Sequence, residues 1–154
     1  MQINQPATAQ QYRDYFELRW RILCAPWNQP RGIERDPSDA SSIHLMAIDD
    51  DGTILGGGRL HFNSPAVAQI RYMAVETRHQ QQGIGSRLLQ ALEQRARQSG
   101  ASEVMLNARD TALAFYRKHG YQTEGPGHLL FDSIAHVKMR KHLSTADRKE
   151  FAGN

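Results

Sequence analysis

The sequence predicts an α+β fold, a sheet covered by helices on both faces. Three observations carry this reading. A helix-period apolar stripe occupies residues 12–23. Strand-like runs separated by turn signals fill residues 43–75. A glycine-spaced turn at residues 80–86 then feeds an amphipathic helix.

Thr8-Ala9-Gln10-Gln11 has the capping-box pattern, a hydroxyl at the N-cap and Gln three residues later. Tyr12, Tyr15, Phe16, Ile22 and Leu23 follow at helical spacing. Arg19 falls inside that stripe, so its guanidinium must find a partner or line a cleft. Ala25-Pro26 ends the helix. A polar loop follows, broken by Pro30, Gly32 and Pro37. Its Glu34, Arg35, Asp36 and Asp39 form either solvated surface or one wall of a substrate cleft.

Residues 43–48 are apolar on both faces and read as a central strand, with His44 as a satisfied core histidine. Asp50-Asp51-Gly52 is a hairpin turn. Gly56-Gly57-Gly58 marks a bulge or a close backbone approach. Asn63-Ser64-Pro65 turns the chain into a strand over 66–75, completing a three-strand meander. The helix after the glycine turn carries Ile84, Leu88 and Leu92 on one stripe and stops at Gly100. A strand at 104–108 follows, then a short helix holding Leu113, Phe115 and Tyr116 and closed by Gly120. Strands are expected at 121–124 and about 136–140, with a loop at Gly125-Pro126-Gly127. Residues 144–154 are polar and are expected to form a flexible tail.

The 154 residues suit a single domain over 1–154, and no internal repeat is visible. Hydrophobic residues at 40% and charged residues at 23% are an ordinary globular mixture. No secretory signal is expected from the N-terminal residues, and no stretch approaches the roughly 20 apolar residues of a membrane span. The single Cys24 cannot form an internal disulfide, which fits a reducing cytoplasm. A net charge of +3 suits a polyanionic ligand. Basic and acidic residues are interspersed rather than blocked, which argues against nucleic acid as a partner. The histidines and the cysteine lack metal-ligand spacing, so no metal is expected.

The segment Gln80-Gln81-Gln82-Gly83-Ile84-Gly85-Ser86 carries the strongest functional signal. A glycine turn entering a helix presents backbone N–H groups and the positive end of a helix dipole, a device for holding phosphate. It is not a P-loop, because Ser86-Arg87 follows Gly85 where Lys-Ser/Thr is needed. It is not a dinucleotide fingerprint, because Leu88 stands in place of the third glycine.

What remains, Gln80-x-x-Gly83-x-Gly85 between strand and helix, resembles the coenzyme A pyrophosphate loop of the GNAT superfamily, the Gcn5-related N-acetyltransferases. Tyr72-Met73-Ala74-Val75 before it resembles the family's fourth strand. Asn107 and Phe115-Tyr116-Arg117-Lys118-His119-Gly120-Tyr121 after it resemble the family's fifth strand and following helix. Glu34-x-Asp36-x-x-Asp39 with His44, and His136-x-x-Met139, look like a bacterial subgroup. Residues 31–36 and 70–75 also look like the acetyltransferase half of certain fused acetyltransferase–thioesterase proteins.

This resemblance implies a mixed, mainly antiparallel sheet of about six or seven strands, splayed between the fourth and fifth. It implies an acetyl-CoA-dependent N-acetyltransferase whose acceptor, a small-molecule or peptide primary amine, attacks the thioester directly. The cofactor-binding set it implies is Met73, Ala74, Val75, Gln80, Gln81, Gln82, Gly83, Ile84, Gly85, Ser86, Asn107 and Tyr116. A backbone N–H near Ala74 or Val75 would hold the developing oxyanion. Tyr116 would protonate the departing thiolate, with Phe115 supplying the packing. Glu76 and His136 are the candidates for the base that deprotonates the amine. The resemblance allows a homodimer. A non-catalytic acyl-CoA-binding sensor is the alternative, and it would keep the loop without needing Tyr116 or a base.

Overall fold

The computed structural model describes residues 1–131 and 133–144. The expected tail from residue 145 onward lies outside the described residues. In chain order the elements are β1 (Gln2–Asn4), α1 (Ala9–Leu23), β2 (Ile43–Ile48), β3 (Ile54–Ser64), β4 (Val67–Val75), α2 (Ile84–Gln98), β5 (Glu103–Arg109), α3 (Leu113–Lys118), β6 (Gln122–Leu130) and β7 (Ile134–His142). The seven strands hydrogen-bond in the order β1-β2-β3-β4-β5-β7-β6. The backbone clusters into two compact units. One holds Met1–His61 and Tyr72–Leu92; the other holds Phe62–Arg71 and the chain from Glu93.

In the first unit the capping box forms as the sequence predicts. The Gln11 amide donates to Thr8 Oγ1 at 3.1 Å, and the Thr8 amide donates to Gln11 Oε1 at 3.2 Å. Strand β2 pairs antiparallel with β3, Leu45 opposite Gly58 and Met46 opposite Gly57. Both expected features are present at the three glycines: the β2/β3 register shifts beside Gly56, between Ala47 and Ile48, and the backbone approaches its neighbours closely. A Cβ on Gly57 would sit 2.8 Å from the Tyr15 ring, and one on Gly58 would sit 2.7 Å from Met73 Sδ. Strand β1 is an addition to the expected set. It pairs with β2, Ile3 opposite Ala47, and its three residues are too few to show a period. On α2, Ile84, Leu88, Leu89 and Leu92 are buried, the stripe expected of an amphipathic helix.

In the second unit β4 and β5 run parallel, Val67–Ile70 alongside Glu103–Leu106. The strands themselves continue to Val75 and Arg109. A parallel ladder over only the first part of both strands is consistent with the expected splay. Strand β7 pairs antiparallel with β5, Arg109 opposite His136, and with β6, Leu130 opposite Ile134. The expected loop at 125–127 is instead part of β6, and β7 begins at Ile134. Register shifts between Thr123 and Gly125 and between Pro126 and Leu129 absorb the irregular residues. As β6 ends the strand order, it can hold a proline that a central strand would reject.

Candidate active site

Seen from the first unit, β4 leads into the glycine turn through one irregular residue. Tyr72 has φ 59°, a left-handed conformation in mid-strand that costs a bulky residue about 1–2 kcal/mol. An ion cluster surrounds it. The Arg19 and Arg59 guanidiniums lie 4.1 and 4.9 Å from the centre of the Tyr72 ring. The Tyr72 hydroxyl donates to Asp36 Oδ2 at 3.3 Å. Arg19 Nη1 donates to Asp39 Oδ1 at 3.0 Å and to the Glu34 carbonyl at 3.0 Å. Arg59 Nη1 donates to Asp36 Oδ1 at 2.6 Å and to Asp39 Oδ1 at 3.1 Å.

Both arginines are nearly sealed from solvent, 2% and 1% exposed. Burial alone would raise the Asp39 pKa. The Asp36 main-chain hydrogen bond and the two arginines outweigh it and hold the carboxyl below its ordinary value. Arg19 therefore finds partners. Of the acidic residues after α1, Asp36 and Asp39 are counter-charges of this cluster, while the Glu34 carboxylate accepts from the Gly32 amide.

His44 is satisfied, as its place in an apolar strand implies. Its Nε2 lies 2.7 Å from the Asp39 carbonyl oxygen, and its Nδ1 lies 2.8 Å from the Tyr15 hydroxyl. A carbonyl only accepts, so the neutral ring carries its proton on Nε2. Burial holds the ring below the ordinary histidine value.

The glycine turn follows β4 and a short 3₁₀ turn at Thr77–His79. Gln80 Nε2 donates to the Val75 carbonyl at 3.1 Å, tying the first signature residue to the strand end. Gln81 and Gly83 take φ of 66° and 83°. A Cβ on Gly83 would have open space around it, so this glycine serves its backbone angle and leaves room in front of the loop. The first turn of α2 presents main-chain N–H groups that lack intrahelical partners by geometry. Loop and helix start thus form an open cradle of the kind that suits a pyrophosphate.

Glu76 is engaged. Its two carboxylate oxygens accept from Arg21 at 3.0 and 2.9 Å. That pairing holds its pKa below the ordinary value, which weakens it as a base.

The second unit holds the remaining candidates. Tyr116 on α3 is 8% exposed, and its ring meets those of Phe115 and Tyr121 edge-on, with centroids 5.0 and 5.7 Å away. Packing therefore falls to Tyr116 as well as to Phe115. Its hydroxyl makes no hydrogen bond among the described residues, and burial pushes its pKa up to about 12. The neighbouring Tyr121 has a structural partner instead, donating to Glu93 Oε2 at 2.7 Å.

Asn107 lies on β5 against Gly127 of β6. A Cβ on that glycine would sit 2.7 Å from Asn107 Oδ1. His136 on β7 is 9% exposed and stacks on His128 of β6. Sequence reasoning did not single out His128, the ring on which His136 stacks. The hairpin register, Leu130 opposite Ile134 and Leu129 opposite Ala135, runs toward this pair, but it is legible only once the turn is located. Among the described residues no three His, Cys, Asp or Glu side chains gather as metal ligands, and no helix is long and apolar enough to cross a membrane.

A mixed sheet and a phosphate-type cradle before an amphipathic helix fit the acyl-transfer class of protein. The family model for the acetyltransferase (GNAT) family matches residues 12–121, and the chain belongs to that family. It is 30% identical over 132 residues to YjcF of Bacillus subtilis (strain 168), named as an uncharacterized N-acetyltransferase, covering 86% of this chain and 93% of that one. The fold is shared with solved structures. An acyl-CoA N-acyltransferase from Pseudomonas aeruginosa aligns with TM-score 0.75 and 24% identity, covering 91% of this chain and 97% of that one. An aminoglycoside 6′-N-acetyltransferase complexed with coenzyme A aligns with TM-score 0.76 and 16% identity, covering 92% of this chain and 97% of that one.

Proposed function

We propose that this chain is an acetyl-CoA-dependent N-acetyltransferase whose acceptor, a small-molecule or peptide primary amine, attacks the thioester directly. The observation that carries this reading is the Gln80–Ser86 turn, open at Gly83 and running into the start of α2. The coenzyme A complex of the aminoglycoside enzyme, which shares the fold, supports the same donor.

Bound acetyl-CoA supplies an acyl group activated as a thioester. Main-chain N–H groups between Gln81 and Ser86 hold its pyrophosphate oxygens, with Gln80 fixing the loop and Ile84 anchoring the helix start. The N–H of Ala74 or Val75, beside Met73, hydrogen-bonds to the acyl oxygen as negative charge grows there. Asn107 lines the path of the pantetheine arm. Tyr116, with its pKa near 12, keeps its proton throughout the neutral range and gives it to the departing sulfur. Of the two candidate bases, Glu76 is committed to Arg21, whereas His136 has its Nδ1 on the Ile134 carbonyl oxygen at 3.0 Å.

Beyond these roles, we place the chain near the acetyltransferase half of fused acetyltransferase–thioesterase proteins, on residues 31–36 and 70–75. We read it as a single cytoplasmic domain able to form a homodimer. The engaged Glu76 favours one further reading, a non-catalytic acyl-CoA-binding sensor.

Thermal denaturation with acetyl-CoA and with coenzyme A tests the binding step. At 100 times the dissociation constant, stabilisation of about 2.7 kcal/mol is expected. No shift with either would refute the reading at its base. Release of free thiol in the presence of primary amines separates enzyme from sensor.

A further inference from the structure

Strands β5, β6 and β7 bring Asn107, Gly127, His128 and His136 together in the second unit. A Cβ on Gly127 would lie 2.7 Å from Asn107 Oδ1 and 3.2 Å from His136 Cβ, so these two residues flank the glycine closely. The His128 and His136 rings stack, centroids 4.7 Å and planes 16° apart. His136 Nδ1 lies 3.0 Å from the Ile134 carbonyl oxygen. A carbonyl only accepts, so Nδ1 carries the proton and the neutral ring keeps its lone pair on Nε2.

We propose that His128 is a positioning residue for acetyl transfer: its ring holds the His136 imidazole, whose tautomer the Ile134 carbonyl sets, in the orientation in which Nε2 takes a proton from the acceptor ammonium. This rests on the acetyl-transfer function proposed above. One proton passes from R–NH3⁺ to Nε2 and leaves a neutral amine, whose lone pair attacks the acyl carbon. As the C–N bond forms and the C–S bond breaks, the nitrogen's second proton makes good the one that Tyr116 gives to sulfur. His136 then releases its proton to water, the single net proton of the reaction.

The charges around the pair suit a base that stays neutral until it is used. Burial holds both imidazoles below the ordinary histidine value. Arg71 of β4 acts on His128, and Arg109 of β5 and His128 itself act on His136, all in the same direction. Main-chain contacts at Ile134 and His128 oppose this at His136 without reversing it. Arg109 stands directly opposite His136 in the β5/β7 ladder. An aromatic clamp without charge would hold the ring equally well, which gives the test its conservative variant.

Long-range ¹H–¹⁵N spectra of the full chain, followed through the imidazole titration, read the pair directly. The expected result is a neutral His136 in its Nδ1–H form, titrating below ordinary histidine. In His128→Ala the Nδ1–H tautomer, held by the Ile134 carbonyl, persists, but the ring loses its stacked cover and its titration moves upward. Unchanged spectra in that variant overturn the proposal. Kinetics with acetyl-CoA and three acceptors, glycine, benzylamine and putrescine, read the role. His136→Gln should lower kcat by about 10²-fold or more without changing stabilisation by coenzyme A. His128→Ala should lower kcat, leave KM for acetyl-CoA unchanged and move the acidic limb of the pH profile upward, and His128→Phe should restore most of the rate. Full activity in His136→Gln alongside normal coenzyme A binding removes this proposal alone. Failure to bind coenzyme A removes the function it rests on. If none of the three amines is acetylated, the spectra decide.

Discussion

The ion cluster of the first unit and the histidine pair of the second treat buried polar side chains in opposite ways. Around Tyr72, Arg19 and Arg59 keep full charges and meet them with Asp36 and Asp39 at 2.6 to 3.1 Å. Around Gly127, His128 and His136 are pushed toward their neutral forms, stacked face to face. A paired charge is a fixed structural element, since removing either partner strands the other in a poorly solvating interior. A neutral imidazole can gain and lose a proton near physiological pH, which suits it to turnover. The contrast teaches that burial alone does not separate scaffold from site. What separates them is whether the group's charge is already matched.

The sharpest way to break this comparison is to unpair the cluster. Asp39→Ala leaves two buried guanidiniums short of an acceptor and should cost about 3–5 kcal/mol in urea unfolding. A loss no greater than that of an ordinary surface substitution would end the scaffold reading. Acid should act on the same group. The Asp39 pKa lies below 3.8 in the folded chain, so its contribution is complete above that value and is lost as pH falls through the lowered one.

A smaller effect is expected in the second unit, and in rate rather than stability. Tyr116→Phe removes a hydroxyl with no hydrogen bond among the described residues, so unfolding should change by less than about 0.5 kcal/mol. Turnover should fall by about 10²-fold, with coenzyme A stabilisation unaltered. Normal turnover would return Tyr116 to the packed core. Smallest of all is Arg21→Ala. The Arg21–Glu76 pair is partly exposed, so its loss should cost only about 0.2–1 kcal/mol. Activity should not change. A rise in activity, or a shift of the acidic limb, would restore Glu76 as the base.

Much of this was legible in the sequence because the signals are local. The capping box at Thr8, the apolar face of α2 and the glycine turn at 80–86 each depend on residues a few positions apart. The family resemblance marked the same loop and Tyr116. What escaped depends on distant residues. That Asp36 and Asp39 are counter-charges requires Arg59, which reaches them only once β3 is folded. That β6 continues through Gly125-Pro126-Gly127 reflects its place at the end of the sheet, where local turn chemistry is overruled by pairing with β7. His128 was invisible for the same reason, since its partner lies across a hairpin whose turn was set too early.

The glycines at 57 and 83 impose different kinds of inheritance on the chain. At position 83 the demand is a left-handed angle with empty space beyond, so a side chain there is strained and would enter the room left in front of the loop. At position 57 the Tyr15 ring already fills the place of a side chain, and the backbone itself is the packing surface. Even alanine there must displace an aromatic ring of the core. A mutational library should therefore find both positions restricted, position 83 through lost coenzyme A binding and position 57 through lost stability.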